Sequence, residues 1–180
     1  MRGILVLPLP GAEALSLELL SLEIESLMHC PVIVGDGVRN VDLAYDPSRD
    51  QYNSRRLLEL LHTLRPPEVD RILGVTGLDL FIPVLTFVFG EAQLQGPASV
   101  VSYFRLDNRY YGLPEDAELL QDRLVKEAVH ELGHTFGLVH CPDTRCVMRS
   151  STYVEQIDLK DSQFCMDCGE ALQKRIAAPS

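Results

Sequence analysis

The stretch VHELGHTFGLVH constrains the fold more than any other part of the sequence. His130 and His134 lie four positions apart, so on an α-helix both side chains share one face. Glu131 follows His130 directly and projects about 100° further round the helix. Gly137 can adopt the left-handed conformation that ends a helix and turns the chain, which carries His140 back towards the same face. The stretch therefore predicts a helix, a sharp turn and three converging imidazoles.

Three imidazoles around one point form the ligand set of a catalytic zinc ion, which keeps its fourth position open. The pattern H-E-x-x-H-x-x-G-x-x-H therefore predicts three zinc ligands, His130, His134 and His140. It also predicts that Glu131 stands beside the metal as general base. The alternative is a set of polar residues on the exposed face of an amphipathic helix. That alternative gives no role to Gly137 or His140.

Four of the five cysteines fall near the C-terminus, in a C-x4-C pair and a C-x2-C pair: Cys141, Cys146, Cys165 and Cys168. This spacing is typical of a closed tetrahedral zinc site with four thiolate ligands. A redox-active dithiol and, in an oxidising compartment, two disulfides are the alternatives. Adjacent residues on an extended chain point opposite ways, so His140 and Cys141 can serve different ions. We expect two zinc ions per chain, one catalytic and one structural.

The remaining cysteine and two of the histidines are expected to have no part in these sites. Cys30 begins an apolar run and should be a small buried residue. His29, next to it, and His62, within a helical pattern, are expected at the surface.

Composition limits the class of protein and its partners. A chain of 180 residues, 46% of them hydrophobic, suits a single domain, which we divide into residues 1–137 and 138–180. The net charge of −10 argues against a nucleic-acid partner. The N-terminal apolar run is interrupted by Pro8, Pro10 and Gly11, which favours a buried strand over a signal peptide. No run is long enough for a membrane helix. We expect a cytoplasmic monomer that acts on a peptide or protein, without membrane or nucleic-acid partners.

Hydrophobic patterning predicts an α/β fold. Buried strands are expected at GILVLPL (3–9), PVIVGD (31–36) and RILGVTGLDL (71–80), with two further strands at LTFVFGEAQ (85–93) and ASVVSYFRL (98–106). Helices are expected at 13–28, where Leu15 is one of the apolar positions, at 55–65 and at 114–137; residues 39–54 are read as a loop. This order predicts a twisted, mostly parallel sheet with backing helices and an active-site helix. The strand near FVFGE is expected as an antiparallel edge strand beside the cleft. Residues 138–180 lack a regular pattern and are expected to depend on zinc.

The order of residues after His140 resembles one known family. Cys141 follows His140 at once, then come Cys146, Met148 and the segment FCMDC. This order is similar to that of the archaemetzincins, also called archaelysins, within the metzincin zinc metallopeptidases. The resemblance is tight from Val129 to Cys168 and looser at FVFGEAQ and SYFRL.

The resemblance implies a metzincin-type zinc metallopeptidase with the ligands and base named above. It also implies that Met148 lies beneath the catalytic metal in a methionine-containing turn, which in packing terms is an ordinary core position. Tyr153 stands five residues after Met148, whereas the oxyanion-stabilising tyrosine of some metzincins stands two after it, so we leave Tyr153 out of the site.

Two other functions use the same residues. The chain could be a non-catalytic zinc-binding interaction protein, or a hydrolase of a non-peptide amide. Glu131 favours an enzyme, because a structural three-histidine site does not require a base beside it.

Overall fold

The computed structural model describes residues 2–14 and 16–177. The helices are α1 (Leu17–Met28), α2 (Ser54–Leu64), α3 (Ala117–Thr135), α4 (Val154–Leu159) and α5 (Met166–Ala177). The strands are β1 (Ile4–Pro8), β2 (Val32–Val34), β3 (Tyr45–Asp46), β4 (Gln51–Asn53), β5 (Arg71–Thr76), β6 (Leu80–Phe81), β7 (Gly90–Ala92) and β8 (Ala98–Ser102). Short 3-10 turns lie at Ala12–Ala14, Asp42–Ala44 and Asn108–Tyr111.

The main sheet has five strands in the order β2-β1-β5-β8-β7. The first four strands run parallel. The chain crosses back over a helix between β1 and β2 and again before β5, whereas β8 is reached without a helix, by way of the antiparallel strand β7. Strand β7 reaches β8 through a short connection that holds no helix, so the two pair antiparallel. The predicted α/β class, with an antiparallel edge strand at GE within FVFGE, is confirmed.

The three central strands of the sheet, β1, β5 and β8, are buried on both faces. Ile4 and Val6 of β1 point into a core shared with α1 and α3, while Leu5 and Leu7 point into a second core shared with α2. This alternation explains why the strand is a continuous apolar run, as expected for a parallel strand covered on both sides.

Strand β2 corrects one prediction. The apolar run PVIVGD was expected to form a buried strand, but β2 lies at one edge of the sheet, and Ile33 and Val34 are 54% and 40% exposed. In the described part of the chain no strand lies beyond β2 in this sheet. The apolar run therefore reflects the preference of these residues for a β-strand and does not indicate that the strand is buried.

Two helix boundaries also differ from the prediction. The helix expected at 13–28 is a 3-10 turn followed by α1, which begins at Leu17 after the N-cap Ser16. Leu15 lies outside the described residues. The active-site helix was expected at 114–137, but α3 begins at Ala117. Asp116 is its N-cap, and the Asp116 carboxylate accepts a hydrogen bond from the Leu119 amide at 2.9 Å. It ends at Thr135.

The strands expected at 85–93 and 98–106 shorten to β7 and β8. Residues 85–89 instead follow an irregular path that side chains hold in place. The Arg49 guanidinium donates to the carbonyls of Leu85 and Thr86 at 2.9 and 3.1 Å, and the Gln51 amide donates to the Thr86 carbonyl at 3.0 Å. The loop expected at 39–54 contributes to this support, because β3 and β4 in it form a small second sheet with β6.

The C-terminal part is more regular than predicted. Helices α4 and α5 lie within residues 138–177, where no regular pattern was expected. Val154, Ile157 and Leu172 from these helices join the core that contains Leu132 of α3. In the described part of the chain, no helix combines the length and the apolar character needed to cross a bilayer.

Candidate active site

The three histidines of the predicted zinc site lie together. His130 and His134 project from the last two turns of α3, with ring centroids 4.7 Å apart, and His140 completes the group at 5.3 and 5.0 Å from them. One ring nitrogen from each histidine lies within 4.8 Å of the other two. The group is therefore compact enough to hold one metal ion.

The turn at Gly137 brings His140 to this position. Gly137 has φ = 84°, a left-handed conformation that a side chain would strain. Its amide donates to the His134 carbonyl at 2.8 Å, and the Leu138 amide donates to the Gly133 carbonyl at 3.0 Å. These two carbonyls at the end of the helix therefore have hydrogen-bond partners where the chain reverses.

Hydrogen bonds fix the orientation of two of the imidazoles. His130 Nδ1 lies 2.8 Å from the carbonyl of Val147, and His134 Nδ1 lies 2.7 Å from that of Leu138. A carbonyl only accepts, so each Nδ1 carries the proton. Each Nε2 then presents a lone pair, and the two Nε2 atoms face each other at 3.1 Å.

The surroundings keep the imidazoles neutral. Burial lowers the pKa of His130 well below its ordinary value, and the positive charge of Lys160 lowers it further. Burial also lowers the pKa of His134 and of His140. Since only a neutral imidazole can bind a metal, the site is in its ligating form near neutral pH.

Glu131 lies in the same cleft as His130 and His140, with its side chain against β7. Burial, and then the charge of Glu127, raise the pKa of Glu131 well above its ordinary value. The carboxylate fits there because Gly90 has no side chain: a Cβ on Gly90 would lie 2.6 Å from Glu131 Cγ and 2.8 Å from the Val100 carbonyl.

Met148 lies under α3, fully buried in the core. A Cβ on Gly133 would stand 2.5 Å from Met148 Sδ, so the absence of a side chain at Gly133 lets the thioether pack against the helix between His130 and His134. The amide of Cys141 donates to the Met148 carbonyl at 3.0 Å, which ties this turn to the chain that carries His140.

We expect Gly133→Ala to lower the free energy of unfolding by about 1–2 kcal/mol, because overpacking against a buried methionine outweighs the helix propensity gained. Gly169→Ala in α5 is the matched control. Its Cβ would meet nothing closer than Phe164 Cβ at 3.9 Å, so this change should add about 0.5–1 kcal/mol. Urea denaturation of both variants measures the difference. Stabilisation by both would show that Met148 does not pack tightly under the helix.

The four C-terminal cysteines form a second compact group. Their sulfur atoms lie within 4.8 Å of one another, and Cys141 Sγ is 3.8 Å from Cys165 Sγ. All five cysteines lie in the described part of the chain, and no two of them form a disulfide. The Cys165 amide donates to Cys146 Sγ at 3.3 Å, and a hydrogen bond from the backbone of Cys168 lowers the pKa of Cys165. Burial raises the pKa of Cys146. Four sulfur atoms this close together in a partly buried site suit a bound cation, because binding a cation favours the deprotonated thiolates.

The histidine group opens into a cleft of about 300 Å³. One wall is the irregular segment 85–90, the other is 150–152, and Glu127, His130, Glu131 and His140 line the space between them.

Sequence reasoning missed an ion pair between Lys160 and Glu127, of which Glu127 lines this cleft. The side chain of Lys160 is 0% exposed, and its Nζ donates to Glu127 Oε1 at 2.8 Å and to the Arg149 carbonyl at 3.1 Å. Glu127 stands one turn before Glu131 on α3, a spacing that places both carboxylates on one helix face. That spacing was the available signal for Glu127, whereas nothing local marks Lys160.

Residues left out of the site lie away from it. Cys30 is buried in the core, as predicted, and His29 and His62 are exposed, as predicted. Tyr153 is 64% exposed and does not line the cleft.

Comparison with known proteins places this site in a family. A family model described as Peptidase family M54 matches residues 20–174. The archaemetzincin of Methanocaldococcus jannaschii is 45% identical over 132 residues, 73% of this chain and 72% of that protein. The archaemetzincin of Methanopyrus kandleri is 47% identical over 133 residues, 74% of this chain and 72% of that protein.

Solved structures agree with the sequence comparison. The crystal structure of archaemetzincin from Archaeoglobus fulgidus, complexed with malonate, has a TM-score of 0.81 at 38% identity and covers 93% of this chain and 98% of its own. A zinc-dependent peptidase from Methanocorpusculum labreanum has a TM-score of 0.84 at 32% identity, covering 94% and 100%. The resemblance inferred from the residues after His140 is confirmed. The chain belongs to peptidase family M54, the archaemetzincins, and is a zinc metallopeptidase by family.

Proposed function

We propose that this chain hydrolyses peptide bonds by the metzincin mechanism, with a catalytic zinc held by His130, His134 and His140 and with Glu131 as general base. The observation that carries the proposal is the convergence of three ring nitrogens within 4.8 Å in the cleft that also contains Glu131. A purely structural metal site would not require a carboxylate at its open side.

The donor set fits zinc. Three neutral imidazoles, two of them with tautomers fixed by hydrogen bonds, suit a borderline-soft cation, and His140 is exposed to the cleft, which leaves room for a fourth ligand. Zinc in this position supplies Lewis-acid activation of water and of the scissile carbonyl.

Glu131 moves the proton in this mechanism. Its carboxylate accepts a proton from the attacking water and passes it to the nitrogen of the leaving amine. Burial raises its pKa, which makes it a stronger base than an exposed glutamate, and Gly90 leaves the space in which it lies.

Strand β7 is a suitable platform for the substrate. It is the last strand of the main sheet, and the segment before it lines the cleft. An extended peptide could add to its free edge by main-chain hydrogen bonds, which would place a scissile bond beside Glu131. A peptide or protein is therefore the proposed substrate class.

The four-cysteine group is proposed to hold a second, structural zinc. Support comes from four sulfurs within 4.8 Å and from the position of Cys141 directly after His140. A closed thiolate site there would fix the start of α5 relative to the turn that carries His140 and Met148.

Cleavage of a peptide mixture by zinc-loaded wild-type protein, measured beside Glu131→Gln, tests the function, because the two proteins share every ligand and differ in the base. Cleavage by the wild type alone supports the proposal. Zinc binding without cleavage of any peptide would favour the zinc-binding interaction protein, and cleavage only of non-peptide amides the other alternative.

A further inference from the structure

The wall of the cleft at residues 150–152 consists of three consecutive residues that have hydroxyl groups. Ser150, Ser151 and Thr152 line the cleft together with Glu131 and with two of the three histidines, His130 and His140. Among the described residues that line it, none is a lysine or an arginine. Apart from the proposed zinc, a substrate oxygen that becomes negative in this cleft would therefore meet no cationic side chain among these residues.

Hydrogen bonds hold this wall at both ends. Before Ser150, the carbonyl of Arg149 accepts from the fully buried Lys160 at 3.1 Å. After Ser151, the amide of Thr152 donates to Gln156 Oε1 at 2.6 Å. The segment between these anchors is two residues long, so the bonds at its ends restrict the movement of its backbone, which favours a preorganised hydrogen-bond donor.

The middle residue of the wall carries an unsatisfied hydroxyl. Ser151 Oγ is buried, and no hydrogen-bond partner reaches it from any residue that the structure describes. Buried polar atoms are nearly always paired, because an unpaired one forfeits the hydrogen bonds it made with water. Among the described residues, the other buried side-chain atoms without a hydrogen-bond partner belong to Arg65, Arg71 and Gln121, none of which lines the cleft.

We propose that Ser151 is a catalytic residue whose hydroxyl donates a hydrogen bond to the oxygen of the scissile carbonyl as that oxygen becomes negative. The inference rests on the proposed function and deepens it. Ser151 Oγ is buried in the rotamer that the structure describes, so donation to a substrate in the cleft requires rotation about the Cα–Cβ bond, which moves Oγ between staggered positions without moving the backbone. Ser151 keeps its proton throughout, and the proton of the attacking water still passes through Glu131 to the leaving amine. Tyr153, the aromatic residue with a hydroxyl downstream of Met148, does not fit this role, because it is exposed and does not line the cleft.

The test compares Ser151→Ala with Ser151→Thr, which retains the hydroxyl, and with Ser21→Ala on α1, outside the cleft. Loss of one oxyanion donor should lower kcat about 10²- to 10³-fold with KM nearly unchanged. Ser151→Thr should recover most of that loss, and Ser21→Ala should match the wild type. Zinc content should stay constant, and the melting temperature of Ser151→Ala should hold or rise, because an unpaired buried hydroxyl is removed.

A binding measurement provides a readout that does not depend on turnover. A phosphinic peptide imitates the tetrahedral intermediate, so its affinity for zinc-loaded Ser151→Ala should fall in parallel with kcat. Affinity for a product peptide should stay within about 2-fold of wild type.

Several results would overturn the inference. Wild-type kcat in Ser151→Ala, when Glu131→Gln is inactive, removes Ser151 from catalysis and leaves the proposed function intact. A lower melting temperature in Ser151→Ala would assign the hydroxyl a structural partner. If the wild type cleaves no peptide, the proposed function fails. In that case the phosphinic-peptide measurement decides the inference on Ser151. Equal affinity of wild type and Ser151→Ala for the phosphinic peptide, or no binding by either protein, would overturn the inference as well.

Discussion

Glu131→Gln should lower kcat for peptide hydrolysis by about 10²- to 10⁴-fold while the zinc content stays at the wild-type value. Glutamine matches glutamate in shape but cannot accept the proton of the attacking water. It removes no metal ligand, and it fills the same space against Gly90. Melting temperature should not fall, because the change replaces a buried carboxylate whose pKa is raised by burial and by Glu127 with a neutral amide.

Steady-state kinetics, zinc analysis and thermal melting on the same preparation check this prediction. Glu118→Gln is the matched control, since Glu118 lies exposed in the first turn of the same helix, and its kcat should equal that of the wild type. A Glu131→Gln variant that keeps more than about a tenth of the wild-type kcat would mean that another group acts as the base.

Cys165→Ser, unlike Glu131→Gln, should cause a large loss of stability. Serine keeps the shape of cysteine but supplies no thiolate. Binding of a structural zinc contributes on the order of 10 kcal/mol to folding, so loss of one ligand should lower the free energy of unfolding by more than about 3 kcal/mol. Zinc content should fall from two ions per chain towards one. Activity should fall secondarily, because Cys141 and His140 are adjacent.

Denaturant unfolding and zinc analysis measure this effect. Cys30→Ala, which truncates a buried cysteine outside the cluster, should cost about 1 kcal/mol and leave zinc content unchanged. Equal loss of stability in Glu131→Gln and Cys165→Ser would contradict the division of labour between a catalytic and a structural site.

The sequence was most informative where geometry is local. The spacing of His130 and His134 on one helix, and the left-handed turn at Gly137, follow from backbone geometry alone, so the clustering of the three imidazoles could be predicted. The antiparallel pairing of β7 was equally accessible, because too few residues separate it from β8 for a crossover helix.

Predictions failed where distant contacts decide the outcome. Helix α4 has six residues, too few for a periodic pattern, and α5 buries only Leu172 fully, so its apolar face is hard to detect. Exposure of β2 depends on its place in the sheet, which its own residues do not encode. The Lys160–Glu127 pair joins residues 33 positions apart, and a lysine in a polar segment is ordinarily exposed.

Anomalous diffraction at the zinc absorption edge, from crystals of the zinc-loaded protein, tests the central claim most directly. We predict two peaks per chain. One should lie about 2.0–2.1 Å from a ring nitrogen of His130, His134 and His140, beside the Glu131 carboxylate, and the other about 2.3 Å from four cysteine sulfurs. A loaded crystal without a peak among the three histidines, or with disulfides in place of the second peak, would contradict the account.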